Sequence, residues 1–303
     1  MKKKGREWQI RMIEEIKRNK NGRFVTFTFS NESIKELKTR VTNDIWIKTN
    51  KIWNRRDITE QEKEKLIKKN QQRGKGYALD NAIATMGVRA FLERWRKKYK
   101  NMKDLKHWLV TELGGNGTEN IHLHGIIWTT KGLEEIKDRW QWGFIWPRNE
   151  EEWKKNYVGE ITVNYVIKYM TKVDMKHKGY IGKVLCSAGI GKGYEETFNG
   201  KQNRYNKDGT YEGYRMKDGR DIGLPIYYRN KIYSEEEREQ LWIEKLDKQE
   251  RWVNGIRIDV SKRKRKSKQK KSTKRKRICT RQRHSNNGRK SILSLIVSRF
   301  SSG

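Results

Sequence analysis

The chain has 303 residues, 33% of them hydrophobic and 36% charged, with a formal net charge of +35, which is enough apolar matter for a lean core in one large domain or two small ones. No apolar run approaches the ~20 residues of a membrane span, and the basic start Met1-Lys2-Lys3-Lys4 leads into no apolar stretch, so neither a membrane protein nor a signal peptide is expected. The two cysteines, Cys186 and Cys279, stand apart in the sequence; that argues against a disulfide scaffold and a Cys-x-x-Cys zinc site and suits a reducing cytoplasm.

In chain order, residues 5–20 carry Trp8, Met12, Ile13 and Ile16 at helical spacing and predict a short amphipathic helix, ended by Asn21-Gly22. Phe24-Val25-Thr26-Phe27-Thr28-Phe29 alternates with period two and predicts a strand. Ser30 or Asn31 can cap the next helix, through Ile34, Leu37, Val41 and Ile45. A charged stretch to about Arg73 is partly helical, and Gly74-Lys75-Gly76 breaks it. Residues 79–100 give the clearest helix, with Ala82, Ile83, Met86, Ala90, Phe91 and Trp95 on one face. Two strands follow, 107–113 and 120–128, joined across Gly114-Gly115-Asn116-Gly117 into an antiparallel hairpin. A helix over 133–140, short strands at 142–146 and 157–160, and a helix from Thr162 through Lys172 come next. Between 176 and 231 the pattern assigns little, apart from a hairpin turn at Asn206-Lys207-Asp208-Gly209. Ser234 and Glu237 form a capping-box pattern that opens a helix through Trp242 and Leu246.

Charge is unevenly spread. Residues 261–290 hold 16 Lys and Arg and no acid. Such a like-charge block is expected to be disordered. The body ahead of it carries all 37 Asp and Glu and still has an excess of Lys and Arg. A polyanion, nucleic acid above all, is the partner this implies. The 12 Trp and 13 Tyr serve equally as core residues or as stacking platforms for bases.

Two motifs carry chemistry. In Ile121-His122-Leu123-His124-Gly125, a strand puts both imidazoles on one side, with Cα atoms about 6.6 Å apart, and Leu123 on the other, in the core. Such a pair can converge on one ion, although a His-x-His also fits a solvated strand face. Glu112, near the end of the preceding strand, is brought alongside by the hairpin. Together they make a mixed oxygen and nitrogen donor set suited to Mg²⁺ or Mn²⁺ polarising a phosphate oxygen. In Tyr165-Val166-Ile167-Lys168-Tyr169-Met170-Thr171-Lys172, the spacing of four sets two phenols side by side on a helix. Lys168 and Lys172 repeat the Tyr-x-x-Lys unit, while Val166, Ile167 and Met170 take the opposite face. A phenol with pKa near 10 is a poor nucleophile at neutral pH, and a nearby ammonium would favour the phenolate. A plain amphipathic helix explains the same residues without catalysis.

The order of these motifs on a basic body resembles the HUH endonucleases, the tyrosine nucleases of rolling-circle replication, plasmid mobilisation and some insertion sequences. Tyr165 through Lys172, followed by Val173-Asp174, is similar to the two-tyrosine motif of the replication initiators of microviruses, small single-stranded DNA phages. Phe24–Phe29 and Glu112–Trp128 resemble the first two family motifs. Ser187-Ala188-Gly189-Ile190-Gly191 and Gly223-Leu224-Pro225-Ile226-Tyr227-Tyr228 resemble downstream segments of the gokushovirus type.

The resemblance implies an α+β fold: a central antiparallel sheet flanked by helices, with a ferredoxin-like or RRM-like core, over residues 1–260, and a disordered basic tail over 261–303. It implies origin nicking through a 5′-phosphotyrosine and later rejoining. Tyr165 and Tyr169 would be the nucleophiles, Lys168 and Lys172 auxiliaries, and His122, His124 and Glu112 the metal ligands. Expected partners are single-stranded origin DNA and a host helicase and polymerase, in the cytoplasm of an infected bacterium. No G-x-x-x-x-G-K-[ST] loop is present to drive strand separation. A plasmid initiator, relaxase or transposase shares this chemistry. A non-enzymatic single-strand binder would account for the composition and leave the paired histidines unexplained.

Overall fold

The computed structural model describes residues 2–100, 104–115, 119–171, 174–247, 250–253 and 256–259. Two compact units emerge, Met1–Asn203 with Pro225–Tyr228, and Arg204–Leu224 with the described residues from Arg229 onward. The expected basic tail over 261–303 and Cys279 lie outside the described residues, as does Lys172.

The first unit is α+β. Helix α1 (Lys2–Arg18) leads into β1 (Gly22–Thr28). Helix α2 (Asn31–Trp53) starts where Ser30, in extended backbone, accepts a hydrogen bond from the Ser33 amide. Helix α3 (Glu60–Gln71) opens with a Thr59/Glu62 capping box, and α4 (Gly76–Lys98) begins at a glycine with φ of 46°. Strands β2 (Leu105–Leu113) and β3 (Ile121–Thr129) follow, then α5 (Leu133–Lys137), β4 (Ile145–Trp146), α6 (Glu150–Lys155), α7 (Glu160–Thr171), β5 (Val184–Cys186) and α8 (Phe198–Gln202). The five strands form one antiparallel sheet in the order β4-β1-β3-β2-β5.

Strand periodicity sorts the side chains of this sheet onto two faces. Val25 and Phe27 of β1, Leu123 and Ile127 of β3, and Leu105 and Leu109 of β2 are buried on one face, with Leu37 and Val41 of α2 and Ala82, Ile83, Phe91 and Trp95 of α4 in the same core. Each large apolar side chain buried here stabilises the fold by roughly 1.5–3 kcal/mol. On the other face, Trp108 of β2 meets Trp8 of α1 edge-on at 5.8 Å, and Val163, Val166, Ile167 and Met170 of α7 are buried. The apolar stripe expected on the tyrosine helix is therefore the one that packs. At the C-terminal side, Gly191 (φ 73°) lies against the backbone of Arg11, where a side chain would clash. Its amide donates to Glu15 and its carbonyl accepts from Tyr228, holding the Ser187–Gly191 segment on α1.

Three local expectations are corrected. The strand at 142–146 shortens to Ile145–Trp146. Thr28 and Ser30 do donate to the carbonyls of Phe144 and Trp142, but Gly143 at φ 157° lies between these two bonds and the regular ladder stops at Ile145. The strand at 157–160 reduces to one bridge between Arg23 and Tyr157, because Glu160 already starts α7, where an acid favours the first turn. Asn206–Gly209 is a turn, closed by the Gly209 amide on the Asn206 carbonyl, yet no hairpin flanks it: Asn206 and Thr210 satisfy each other locally.

In the second unit the hairpin is β6 (Gly213–Arg215) with β7 (Asp221–Gly223), turned at Met216–Arg220 with Gly219 at φ 79°. Glu212 is buried there between Arg229, at 2.9 Å, and Lys245. The unit also holds α10 (Glu235–Asp247), capped by Ser234 and Glu237 as expected, and the pair β8 (Glu250–Val253) and β9 (Ile256–Asp259). The short helix α9 (Ile226–Ile232) completes the secondary structure.

Candidate active site

Thr28, Thr26 and Phe24 of β1, His122 and His124 of β3, and Glu112 of β2 all point away from the α2/α4 core. The pairing explains why: Thr26 lies opposite His124, Thr28 opposite His122, and Glu112 opposite His122 across the hairpin. Leu123, between the histidines, is fully buried in the opposite face. Gly125 follows because a side chain there would run into the Trp108 carbonyl oxygen of β2, so the two central strands close tightly beside the pair.

The imidazoles stand 6.4 Å apart at their centroids, with planes at 63°. His124 is held from three directions. Its Nδ1 meets the Thr26 hydroxyl at 3.0 Å, its Nε2 meets a Glu112 carboxylate oxygen at 3.1 Å, and one face stacks on the Tyr169 ring at 4.4 Å and 11°. His122 is half-buried, and its Nδ1 has no hydrogen-bond partner. Burial first, then the neighbouring His124, lowers its pKa, while Glu112 works the other way; the neutral ring, the form that ligates metals, is favoured.

Helix α7 brings the phenols. Tyr165 and Tyr169 are one turn apart, their rings edge-to-face at 5.2 Å and their hydroxyls hydrogen-bonded to each other. Tyr165 also meets Phe24 edge-on at 5.8 Å, and Phe24 in turn meets Trp146 at 5.6 Å. Tyr165 is 48% exposed, so one phenol faces solvent while the other lies against the histidine. Burial first, then the hydrogen bond to Tyr165 and the charge of Glu112, push the Tyr169 phenol well above its ordinary range. That direction opposes activation. It reverses only if positive charge arrives near Glu112.

His122, His124, Glu112, Tyr165 and Tyr169 are therefore brought together on one sheet face. Lys168 is on the same helix and solvent-exposed; Lys172 lies outside the described residues. As placed, no three His, Cys, Asp or Glu side chains among the described residues stand close enough to hold an ion. The donor chemistry nevertheless fits a hard divalent cation: two imidazoles, one with an orphaned buried nitrogen, and a carboxylate that now occupies His124. An ion would take over that His124–Glu112 contact.

Thr26 is not legible as a site residue from motif spacing. The signal for it lies in the period of β1, which sends Phe24, Thr26 and Thr28 to the side opposite Val25 and Phe27. A second polar cluster also escapes the sequence reading: Asp174 holds the buried His177 through its Nδ1 at 2.7 Å, and a small cavity joins Asp174 and Tyr180 to Glu112 and Tyr169.

What fold and site define together is an α+β protein with a histidine–tyrosine cluster on a solvent-facing sheet surface. Residues 76–174, from the start of α4 to the end of the tyrosine helix region, match the family model of the ORF2-type replication-associated proteins. That segment is thus similar to replication-associated proteins, which points to a role in DNA replication, DNA binding and, in general terms, endonuclease-type activity. Comparison with curated proteins and with solved structures yields no match. No helix among the described residues is long and apolar enough to cross a membrane.

Proposed function

We propose that the chain is a rolling-circle replication initiator of the microvirus type, which nicks and rejoins single-stranded DNA with Tyr165 and Tyr169 as alternating nucleophiles. The observation that supports it most is the stack of His124 on Tyr169 at 4.4 Å: the donor pair and the phenols share one site.

The phenol oxygen attacks a backbone phosphorus in line with the 3′ oxygen. The P–O3′ bond breaks as the O–P bond forms, the phenolic proton leaves, and the 3′ oxygen gains a proton to become a free 3′-OH. The ester is kept as a 5′-phosphotyrosine, so no nucleotide cofactor is needed to reseal the strand. Tyr169 is held in place by the imidazole it stacks on, and Tyr165 donates to or accepts from it. His122 and His124, with Glu112, would hold Mg²⁺ or Mn²⁺, whose charge would neutralise a phosphate oxygen and offset Glu112. Thr26 fixes the His124 ring through Nδ1, an outer-shell contact of the kind that orients a ligating imidazole. Lys168 and Lys172 are assigned an auxiliary role, screening the phosphate.

The test uses single strands tiled from the element that encodes the chain, each labelled at its 3′ end or its 5′ end, incubated with protein and Mn²⁺ and then denatured. The 3′ label stays on the protein and the 5′ label is released. The double change Tyr165→Phe with Tyr169→Phe abolishes retention. Retention by the double variant, or no retention by the natural chain on any strand, sinks the reading and leaves a non-enzymatic single-strand binder.

A further inference from the structure

A cleft of about 710 Å³ opens in the first unit between α4 and the β2–β5 edge of the sheet. It lies away from the histidines, and nothing in the chemistry above uses it. Its floor is apolar, from Val88 and Leu92 of α4, Leu105 of β2 and Leu185 of β5. Its rim is cationic, with Arg89, Arg96, Lys106 and Lys183, and no Asp or Glu among the described residues lines it. Lys106 is already neutralised by Glu15 at 2.7 Å. Arg89 and Lys183 have no acidic partner among the described residues. Burial first, then the like charges of Arg73 and Arg89, lower the Lys183 pKa.

Crowded cations over an apolar floor call for a ligand that is anionic on one side and flat and apolar on the other. A lone inorganic anion would leave the floor unused. The volume falls within the roughly 300–1,000 Å³ of pockets that bury a drug-sized ligand, so nucleotide units fit better than an ion. Unpaired nucleotides suit it better than a duplex, whose base faces are stacked and out of reach. The cleft also leads to the tyrosines. Gly182, the chain neighbour of Lys183, lines the small cavity that Glu112 and Tyr169 share.

We propose that this cleft holds a stretch of single-stranded DNA flanking the reacting phosphate, with bases against Val88, Leu92 and Leu185 and backbone phosphates on Arg89 and Lys183. It rests on the single-stranded substrate proposed above, and it makes the α4–β5 edge a strand-guiding surface distinct from the nicking chemistry.

Cys186 provides a reporter, because it lines the cleft and is exposed. In the full chain with Cys279→Ser, maleimide alkylation of Cys186 is timed without DNA, with a saturating random-sequence single strand, and with the matching duplex. The single strand slows alkylation several-fold and the duplex does not. Separately, the charge reversals Arg89→Glu with Lys183→Glu weaken single-strand affinity about tenfold and flatten its salt slope by about 1.4, at about 0.7 for each phosphate no longer neutralised. Lys65→Glu with Lys69→Glu on α3, the same change in net charge, has a much smaller effect. An unchanged alkylation rate under saturating single strand, equal protection by duplex, or equal weakening by both charge reversals each overturns the proposal. None of these readouts requires cleavage. Protection of Cys186 without any covalent adduct would therefore refute the nicking chemistry and keep the cleft, and an adduct without protection would do the reverse.

Discussion

Along β3, Leu123 and Ile127 go to one side of the sheet and His122 and His124 to the other, and the two sides have little else in common. The α2/α4 side is dry, closely packed and aromatic, with Phe27 and Trp140 only 4.4 Å apart. The tyrosine side keeps hydroxyls, imidazoles and a carboxylate within reach of solvent. The dry face fixes where the strands lie, and the polar face is free to carry groups that contribute little to stability. Substitutions should therefore separate the two: loss of fold from one side, loss of chemistry from the other.

The largest effect expected is on the dry side. Leu123→Ala should cost about 2–5 kcal/mol, read as a lowered urea midpoint, while His122→Ala next to it shifts that midpoint little and abolishes the DNA adduct. Equal destabilisation by both would break the division.

Next comes His107, on the dry side of β2 beside Ser187 at 2.9 Å and 6% exposed. Burial lowers its pKa from 6.5 to about 4. The folded chain keeps it neutral while the unfolded chain binds a proton below pH 6.5. Stability from this group is thus complete above pH 6.5, falls as the pH drops, and is lost by about pH 4. The whole swing is about 3 kcal/mol. Unfolding free energies measured across that window should decline less steeply for His107→Gln; an unchanged slope would remove His107 as the cause.

On the polar side, Thr26→Val should leave stability nearly unchanged but raise the Mn²⁺ concentration needed for half-maximal adduct by about 10- to 100-fold, the usual consequence of losing an outer-shell partner. An unshifted Mn²⁺ titration would mean that Thr26 does not orient His124. The smallest change belongs to neither face. Ser30→Ala removes the N-cap of α2 and should cost about 1 kcal/mol, measurable by thermal unfolding, with no effect on DNA chemistry.

How much of this is legible in the sequence follows the same division. The strands and helices of the sheet region announce themselves because apolar residues recur at the period of the element they build: Phe24 to Phe29 by twos, Ala82 to Trp95 by threes and fours. The His pair, Glu112 and the two tyrosines can be named from spacing, since a strand and a helix each dictate which residues share a side. The hairpin that sets Glu112 beside the histidines follows in outline from its glycine-rich turn. Thr26 does not, because its role depends on β1 lying next to β3, a long-range pairing that no local pattern encodes. The region beyond residue 176 resists reading for a related reason. Its glycines at 189, 191 and 193 all adopt positive φ, and the segment is ordered through hydrogen bonds to α1, at the far end of the sequence.

The contact between the Tyr165 and Tyr169 hydroxyls has one further implication. Whichever oxygen gives up its proton, the other becomes its donor, and a second negative charge at that distance is strongly disfavoured. The two phenols thus behave as one acid with a shared proton, and any reaction run through them has to be taken in turns.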